Sequence, residues 1–573
     1  MKSLLRYLKP YVKECLLAPL FKLLEAAFEL TVPLIMAQMI DIGLAHNDKN
    51  YLLMHGVLLL GMGVFGLASA STAQYFCAKL AAGFGTRLRD DLFCHITSLS
   101  RQDIDGLGRS TLVTRLTNDS QQVQDGVTTF FRLVLRSPFV VFGALILVFT
   151  ISHIEGLIYT LTITILLALV FGLMHIAARL YKIVQNHLDS VLLLTSENLE
   201  GVRVIRAFRR EQHEISEMNT VAGELRAEQA HVGDISGLLT PLTYAATNIG
   251  LVVVLAVGGQ QVQLGNLTQG QLMAFINYST QILIEGVKLA NCIIQVSKSL
   301  ACAKRIEQIF KVTPSMKEGS LNACREQPAL SLHDVTFVYP HAAGPALSHI
   351  SFDVQPGETV GIIGGTGSGK TSLAALLMRF YDVTEGSIKL GGHDIRSYSL
   401  ASLRKIISIV EQGAQLFAGS IASNLRWGNP DAREEELYDA LHTAQADNIV
   451  EAKGGLDAEI EQLGQNLSGG QRQRLAIARA LVRKPKVLIL DDSSSALDFA
   501  TDSALRKALR KDLADTSCLI ISQRVTSIRT SDKIIVLDHG HIAGIGTHDD
   551  LLDTCSVYQE ICASQVKGGA VHA

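Results

Sequence analysis

Charged residues make up only 18% of the 573-residue sequence, and neither sign dominates, since 51 lysines and arginines face 54 aspartates and glutamates. The small net charge of -3 gives no basis for expecting nucleic acid as a partner. Together with a mean hydropathy of +0.26, the scarcity of charge argues against an ordinary soluble enzyme. The length exceeds that of one domain, so two or more are expected.

Paired cysteines are also missing from the sequence. The nine cysteines are scattered, mostly inside apolar runs, and none belongs to a C-x-x-C pair. We therefore expect reduced structural thiols rather than a disulfide framework or a metal site. A cleavable signal peptide is not predicted, because the opening sequence MKSLLRYLKPYVKE is amphipathic and basic.

Long hydrophobic stretches lie before about residue 297, and about six of them are long enough to cross a bilayer. The predicted spans are 15–44, 51–82, 128–152, 155–177, 237–260 and 271–297. Basic residues crowd the segments after the second and fourth spans, whereas the connections on the other side hold one, Lys49. The positive-inside rule therefore places both termini and the two long basic loops in the cytoplasm, with the spans in the inner or plasma membrane. Both loops are predicted to be helices that continue from the membrane.

The pattern changes after Lys298, where a polar connector leads into short β-branched strands that alternate with helices. This alternation is typical of an α/β domain. The predicted organisation is thus an all-α six-helix transmembrane domain followed by an α/β domain. In order, the predicted segments are the transmembrane domain 1–297, a linker 298–328, the α/β domain 329–566 and a loose tail 567–573.

A phosphate-binding loop is predicted at GGTGSGKT, which follows the apolar strand ETVGII and opens the helix TSLAALLMRF. Its glycines allow backbone N–H groups to converge on phosphate oxygens at a helix N-terminus. Lys370 is expected to reach the β- and γ-phosphates of ATP, and Thr371 and Asp491 to bind Mg²⁺. The nucleotide-binding residues predicted here are Gly364, Gly365, Thr366, Gly367, Ser368, Gly369, Lys370, Thr371 and Ser372.

A second motif, LSGGQ, stands between this loop and Asp491 and precedes the helix RQRLAIARAL. Its candidate nucleotide-binding residues are Ser468, Gly469, Gly470 and Gln471. With the phosphate-binding loop, LSGGQ makes the second half similar to the ATPase domain, or cassette, of the ATP-binding cassette (ABC) superfamily. The whole chain resembles a multidrug-type ABC exporter half-transporter. The resemblance implies ATP-driven export of amphipathic or hydrophobic small molecules by alternating access.

The resemblance also implies roles for particular positions. Tyr339 matches the aromatic platform on which adenine stacks. Gln412 matches the glutamine that contacts Mg²⁺ and reports to the membrane domain. Ser468–Gln471 match the signature that binds the γ-phosphate held by an opposing cassette, and Ser495–Asp498 match the loop that links the two sites. The sequences that resemble cassette-docking turns of the membrane domain are 108–119 and 201–214.

Two positions depart from the family pattern, and both concern hydrolysis. The residue after Asp491 is usually a glutamate that polarises the attacking water, but here it is Asp492, whose carboxylate is set back by about 1.5 Å, one C–C bond. Gln523 replaces the switch histidine and cannot carry a positive charge. The resemblance therefore implies the degenerate-site subunit of a heterodimer. Its partner would be a half-transporter that keeps the glutamate and the histidine and uses this chain's signature.

Other hypotheses stay open at this point. The chain is alternatively a slow homodimeric exporter, or an ATP-sensing membrane protein that regulates a partner without pumping. Within the transporter class, the cargo is alternatively a lipid, a peptide or a siderophore.

Charged residues inside the predicted spans are a separate feature. They are Lys22, Glu25 and Glu29 in the first span, Arg132 and Arg136 in the third, and Glu285 and Lys288 in the last. Because charge within lipid is costly, one interpretation is a polar wall of the translocation path, with Glu285 as the first candidate. An anionic cavity of this kind would suit cationic amphiphiles. The alternative is that the spans extend past the bilayer, with Lys22 and Glu25 reaching its cytoplasmic surface.

Overall fold

A computed structural model describes residues 4–322, 329–340 and 342–569 of the chain. These residues divide into two compact units. The first unit consists of the described residues up to Thr97 together with Ser110–Val312, and the second of Ser98–Arg109 together with the described residues from Thr313 onward. The segment Ser98–Arg109 therefore groups with the second half of the chain, although it lies within the predicted membrane domain in sequence.

The first half of the chain is helical, as predicted. Its helices are α1 (Val12–Gln38), α2 (Lys49–Ser98), α3 (Arg101–Leu107), α4 (Arg109–Thr114), α5 (Ser120–Thr129), α6 (Arg136–Ile151), α7 (His153–Glu200), α8 (Val202–Ala207), α9 (Glu211–Gly237), α10 (Leu239–Gln263) and α11 (Gln269–Lys311). A 3₁₀ segment, Leu4–Tyr11, precedes α1. Three segments are π-helical: Met39–Leu44, Arg115–Asp119 and Phe130–Val134.

Five stretches of the described residues are long and apolar enough to cross a membrane. They are Leu4–Leu44, Lys49–Ser98, Arg109–Ile151, His153–Glu200 and Glu211–Gln263, and they contain the first five predicted spans except for Ser152 at the end of the third. The sixth predicted span lies on α11, a helix of 43 residues. Polar residues, with Glu285 and Lys288 among them, lower the hydropathy of α11.

Several helices continue well beyond the predicted spans. α2 extends to Ser98 and α7 to Glu200, as expected for helices that continue from the membrane. α11 runs to Lys311, past the predicted start of the linker at 298, because Cys302, Ile306 and Ile309 maintain an apolar buried face at helical spacing. Residues 323–328 of the predicted linker, with Cys324, lie outside the described residues. The last helix reaches Gly569, inside the predicted tail, of which 570–573 are also outside the described residues.

The core of the first unit lies where α1, α6, α7, α10 and α11 meet. Its buried residues include Ala26 and Leu30 of α1, Val140 and Ala144 of α6, Ile163 of α7, Val254 of α10, and Phe275 and Tyr278 of α11. The Tyr278 hydroxyl donates to the Leu30 carbonyl at 2.7 Å, which satisfies a polar group inside this apolar core.

The second unit is an α/β domain built around a six-stranded sheet, as predicted. Its strands are β1 (Leu330–Phe337), β2 (Leu347–Val354), β3 (Thr359–Gly364), β4 (Glu385–Leu390), β5 (His393–Asp394), β6 (Ile407–Val410), β7 (Gly419–Ser420), β8 (Glu459–Ile460), β9 (Val487–Asp491), β10 (Ser517–Ile521), β11 (Lys533–Asp538) and β12 (His541–Gly546). Its helices after α3 are α12 (Lys370–Leu377), α13 (Leu400–Ile406), α14 (Ile421–Leu425), α15 (Glu434–Thr443), α16 (Asp447–Lys453), α17 (Gly469–Val482), α18 (Phe499–Asp512), α19 (Val525–Ile528), α20 (His548–Thr554) and α21 (Ser556–Gly569).

The order of strands determines where the functional residues meet. The larger sheet has the order β12-β11-β3-β10-β9-β6, and all of its pairings are parallel except that of β11 with β12. A second sheet, of order β2-β1-β4-β5, is antiparallel. Ligands of parallel sheets bind beyond the carboxyl ends of the strands. The carboxyl ends of β3, β10, β9 and β6 therefore mark the edge at which a nucleotide site is expected.

Candidate functional site

The predicted phosphate-binding loop connects β3 to the N-terminus of α12. Gly367, with φ +82°, and Gly369, with φ +97°, have left-handed backbone conformations that favour glycine. The Lys370 ammonium donates to the carbonyl oxygens of Gly364 at 2.9 Å and Gly365 at 2.7 Å. Burial lowers the pKa of Lys370. The Lys370 ammonium therefore rests against the loop's own carbonyl oxygens, at the helix N-terminus where phosphate oxygens would bind.

The acidic residue predicted to bind Mg²⁺ lies at the same edge of the sheet. Asp491 ends β9, is only 5% exposed, and pairs in register with Ile521 at the end of β10. Burial, followed by the charge of Asp492, raises the pKa of Asp491 to about 6, although the charge of Lys370 acts in the opposite direction. A buried carboxylate with this perturbation fits a divalent cation, because the cation would offset the cost of burying the charge.

The pH dependence of Mg²⁺-ATP binding tests the position of Asp491. Since its pKa is raised to about 6, the nucleotide-free chain should lose the charged carboxylate as pH falls through about 6 rather than near 4. We expect Mg²⁺-dependent ATP affinity to weaken over that interval, and Asp491→Asn to weaken it at every pH and flatten the profile. Calorimetric titration of the full chain between pH 5 and 8 measures this, with Mg²⁺-free ATP as the control. An unchanged wild-type affinity over the whole interval from about pH 8 to about pH 5 would contradict the assignment.

Asp492 follows directly, in the position of the usual catalytic glutamate. Its backbone has a left-handed φ of +47°, and its N–H donates to the Ile521 carbonyl at 2.8 Å. Its Oδ2 accepts a hydrogen bond from Gln412 Nε2 at 3.1 Å. Burial raises the pKa of Asp492, while this hydrogen bond and the charge of Arg524 oppose the rise. The structure therefore places Gln412 and both aspartates in one cluster.

Gln523 lies two residues beyond the end of β10 and is exposed. Its backbone carbonyl accepts from Gln565 Nε2 at 2.7 Å, which connects it to α21. The next residue, Arg524, donates to the Ser495 carbonyl at 3.4 Å and places positive charge near Asp492. Sequence reasoning missed Arg524, although a basic residue directly after the substituted switch position was a usable signal.

Tyr339 lies at the end of the same unit's antiparallel sheet and is half-buried. Its hydroxyl donates to Ser372 Oγ at 3.0 Å, so that it is tied to the first turn of α12. Its ring packs edge-on against Phe337 and Tyr381, with centroids 4.7 and 5.4 Å away. The predicted adenine platform is thus fixed beside the helix that follows the phosphate-binding loop.

The signature residues cap helix α17. Ser468 Oγ accepts from the Gln471 N–H at 3.3 Å, and Gln471 Oε1 accepts from the Ser468 N–H at 2.9 Å, which forms a capping box. A Cβ atom on Gly469 would meet only Ala496 Cβ, at 3.8 Å. None of the hydrogen bonds of this turn reaches the phosphate-binding loop in the described part of the chain. The structure therefore does not bring the signature and the chain's own phosphate-binding loop together.

The cassette is contacted by helix α3, which lies upstream of the predicted docking sequence 108–119. Within the second unit, Asp105 accepts from the Tyr381 hydroxyl at 2.8 Å. Arg101 lies 3.5 Å from the Glu411 carboxylate and places its guanidinium over the Phe380 ring at 5.3 Å. The capping box of Ser100 starts α3 as a separate short helix after α2, which the sequence pattern did not show. The residue that Arg101 contacts, Glu411, directly precedes Gln412 in the chain.

Comparisons with known proteins agree with this architecture. Residues 15–285 match the family model described as ABC transporter transmembrane region, and residues 347–495 match the model described as ABC transporter. An uncharacterized ABC transporter ATP-binding protein of Mycobacterium tuberculosis is 33% identical over 571 residues, which cover 98% of each chain.

Three further similarities concern named relatives and a solved structure. A multidrug efflux ATP-binding/permease protein of M. tuberculosis is 31% identical over 92% of this chain and 44% of its own length. An ATP-dependent lipid A-core flippase of Chromobacterium violaceum is 29% identical over 98% of this chain and 97% of its own. A bacterial Atm1-family ABC exporter with ATP bound has the same fold, with a TM-score of 0.82, 23% identity, and 97% and 98% of the two chains covered.

Proposed function

Because the chain belongs to the ABC transporter family and carries one transmembrane region and one ATPase domain, we propose that it is the degenerate-site subunit of a heterodimeric exporter. It binds ATP and Mg²⁺ at its own phosphate-binding loop and hydrolyses this ATP slowly. It supplies Ser468–Gln471 to the site on its partner's cassette. The cassette and both termini face the cytoplasm, and the cargo leaves the cytoplasm by alternating access.

Binding of the nucleotide is supported by the intact parts of the site. The Lys370 ammonium needs only to turn from the carbonyls of Gly364 and Gly365 toward phosphate oxygens. Asp491, Thr371 and Gln412 are the residues that would hold Mg²⁺, and that ion neutralises charge that develops on the phosphates. These groups bind and orient ATP whether or not the site hydrolyses it quickly.

The observation that carries the proposal is the state of Asp492. Its carboxylate is one methylene shorter than that of a glutamate, and it is already hydrogen-bonded to Gln412 at 3.1 Å. A catalytic group displaced by about 1 Å can lose on the order of 10²-fold in rate. Gln523, in the switch position, donates and accepts hydrogen bonds but takes no proton. Both groups that would act on water and the γ-phosphate are therefore weakened together.

A two-chain assembly is supported by the signature turn. Ser468 and Gly469 are exposed, and their turn makes no hydrogen bond to the chain's own phosphate-binding loop among the described residues. An intact signature is useful only to a nucleotide held by another molecule. We propose that this nucleotide lies on a partner half-transporter with the usual glutamate and histidine.

The proposed cargo is an amphipathic or hydrophobic compound. Two relatives carry names that refer to multidrug efflux and to a lipid A-core, and an amphipathic cargo is consistent with both.

A link between Gln412 and helix α3, which follows α2, is supported by two contacts. Arg101 pairs with Glu411, the residue before Gln412, and Asp105 accepts a hydrogen bond from Tyr381.

Isolation of the tagged full chain from the membranes of its own host tests the assembly. We expect a second half-transporter in equal amount, with glutamate and histidine at the positions that correspond to Asp492 and Gln523. Mass spectrometry identifies it, and the same preparation from cells without the tag is the control. Recovery of this chain alone, as a homodimer with ordinary ATP turnover, would contradict the proposal and favour a homodimeric exporter.

A further inference from the structure

Six charged side chains of α1, α6 and α11 form one network inside the first unit. They are Lys22, Glu25, Glu29, Arg136, Glu285 and Lys288. Arg136 and Glu285 are buried, with 7% and 3% exposed, and they form an ion pair with each other. Arg136 Nη2 lies 2.5 Å from a Glu29 carboxylate oxygen, and Ser137 Oγ donates to Glu285 at 2.7 Å. The sequence showed the charges but not that the three helices bring them together.

The two ends of this network are open and have opposite charge. The Glu29 side chain is 42% exposed. At the other end, Lys288 Nζ lies 2.9 Å from Glu285 and the Lys288 side chain is 44% exposed. Charge therefore alternates from the Glu29 carboxylate, through Arg136 and Glu285, to the Lys288 ammonium.

The network as a whole is neutral, since three carboxylates balance three cations. The sequence-based expectation of an anionic cavity for cationic amphiphiles therefore does not hold for this cluster, because Arg136 compensates the acids of α1 and α11. In a medium of low dielectric constant, a ligand with a net charge would leave that charge uncompensated here. A ligand that carries both signs would not.

Stability alone does not account for this arrangement. A buried ion-pair network can often be replaced by apolar side chains without loss of stability, because desolvation offsets the attraction. A buried polar atom at the site, Gln281 Oε1, also lacks a hydrogen-bond partner among the described residues, whereas Arg136 Nε faces Glu25 at 3.8 Å. Gln281 lies beside the Glu29 end of the network, with its Nε2 3.5 Å from the Glu29 carbonyl oxygen. Buried polar atoms normally have partners, so Gln281 Oε1 fits a polar group of a ligand.

We propose that this network recognises the zwitterionic headgroup of an amphiphile, with the ligand's cation at Glu29 and its anion at Lys288. Arg136 and Glu285 hold the two ends in place. The inference rests on the proposed function only in taking the cargo to be amphipathic. It does not depend on the slow ATP site or on the identity of the partner.

Equilibrium binding without ATP tests this site, so that its outcome is independent of hydrolysis. The full transporter is placed in nanodiscs of phosphatidylglycerol, and three radiolabelled probes with the same chain are compared: hexadecylphosphocholine, hexadecyltrimethylammonium and hexadecyl phosphate. We expect the zwitterion to bind roughly tenfold more tightly than either singly charged probe. Repeating the titration in phosphatidylcholine discs distinguishes the source of the headgroup, since a membrane lipid that occupies the site would compete with the zwitterionic probe.

Two variants give opposite, charge-specific results under this proposal. Lys288→Gln leaves one excess negative charge and should shift the preference toward the cationic probe. Glu29→Gln leaves one excess positive charge and should shift it toward the anionic probe. Each variant should bind the zwitterionic probe roughly tenfold more weakly than the wild type does. Both side chains are half exposed, and Arg136 and Glu285 keep each other as partners, so that folding is retained.

Lys79→Gln is the matched control, because Lys79 pairs with Glu14 at 2.7 Å outside the network and is also half exposed. It should change none of the three affinities. Equal binding of all three probes by the wild type would overturn the inference. So would variants that weaken the three probes alike, since that is the result of a purely structural role.

Discussion

Ser468→Ala or Gly469→Asp in the assembled transporter should reduce ATP turnover by about 10²–10³-fold, the cost of removing one preorganised donor to transition-state charge. Asp492→Asn, in the same chain, should leave most of the turnover intact. The reason is that Ser468 serves the site on the partner's cassette, whereas Asp492 belongs to the slow site. Steady-state phosphate release at saturating Mg²⁺-ATP, with assembly confirmed by size, measures all three variants.

The structure shows why Gly469 is the better glycine to change. A Cβ there meets only Ala496 at 3.8 Å, an ordinary contact, whereas a Cβ on Gly470 would lie 2.9 Å from the Ala496 carbonyl. Thr547→Ala is the control variant for the loss of a helix cap, because Thr547 forms the same kind of capping box on α20. If the signature variants keep near-normal turnover while Asp492→Asn is inactive, this chain supplies the working base and the assignment of sites is reversed.

Restoring the two altered residues should produce a gain of function. In a homodimer of the full chain, confirmed by mass, Asp492→Glu combined with Gln523→His should raise ATP turnover by up to about 10²-fold, the scale of loss expected from a carboxylate displaced by about 1 Å. Glutamate would extend beyond the position at which Gln412 now holds Asp492, and histidine would add a group that carries a proton. The measurement is turnover at saturating Mg²⁺-ATP.

Two controls keep this result interpretable. Lys370→Ala in the restored chain should abolish the gain, because the added groups act only on a bound nucleotide. ATP affinity should stay within a few-fold of wild type, since the binding loop is untouched. Unchanged turnover despite normal ATP affinity would show that something other than these two residues limits hydrolysis.

Motifs with local geometry were predictable from the sequence. The phosphate-binding loop follows from glycine spacing between a strand and a helix, and Gly367 and Gly369 have the backbone conformations that this requires. Asp491 was expected at the end of a buried strand and is found there. These features depend on residues that are close in the chain, so their pattern is visible without the fold.

Contacts between distant residues were not predictable in the same way. The hydrogen bond from Gln412 to Asp492 depends on the parallel pairing of β6 and β9. The partners of Arg136 come from α1 and α11, and the sequence showed only that the first, third and last spans each contain charged residues. Helix α3, whose residues contact the cassette, was not predicted as a separate helix because its start depends on the cap at Ser100 rather than on a hydrophobic pattern.

The most direct test of the slow site is to measure ATP affinity and ATP turnover on one sample of the full wild-type chain, purified without its partner as a homodimer in lipid nanodiscs, so that each ATP faces a signature. We expect that Mg²⁺-ATP binds, that Lys370→Ala abolishes this binding, and that phosphate release stays at a trace level at saturating ATP. Turnover comparable to that of an ordinary exporter, from a preparation shown by mass to contain only this chain, would contradict this expectation.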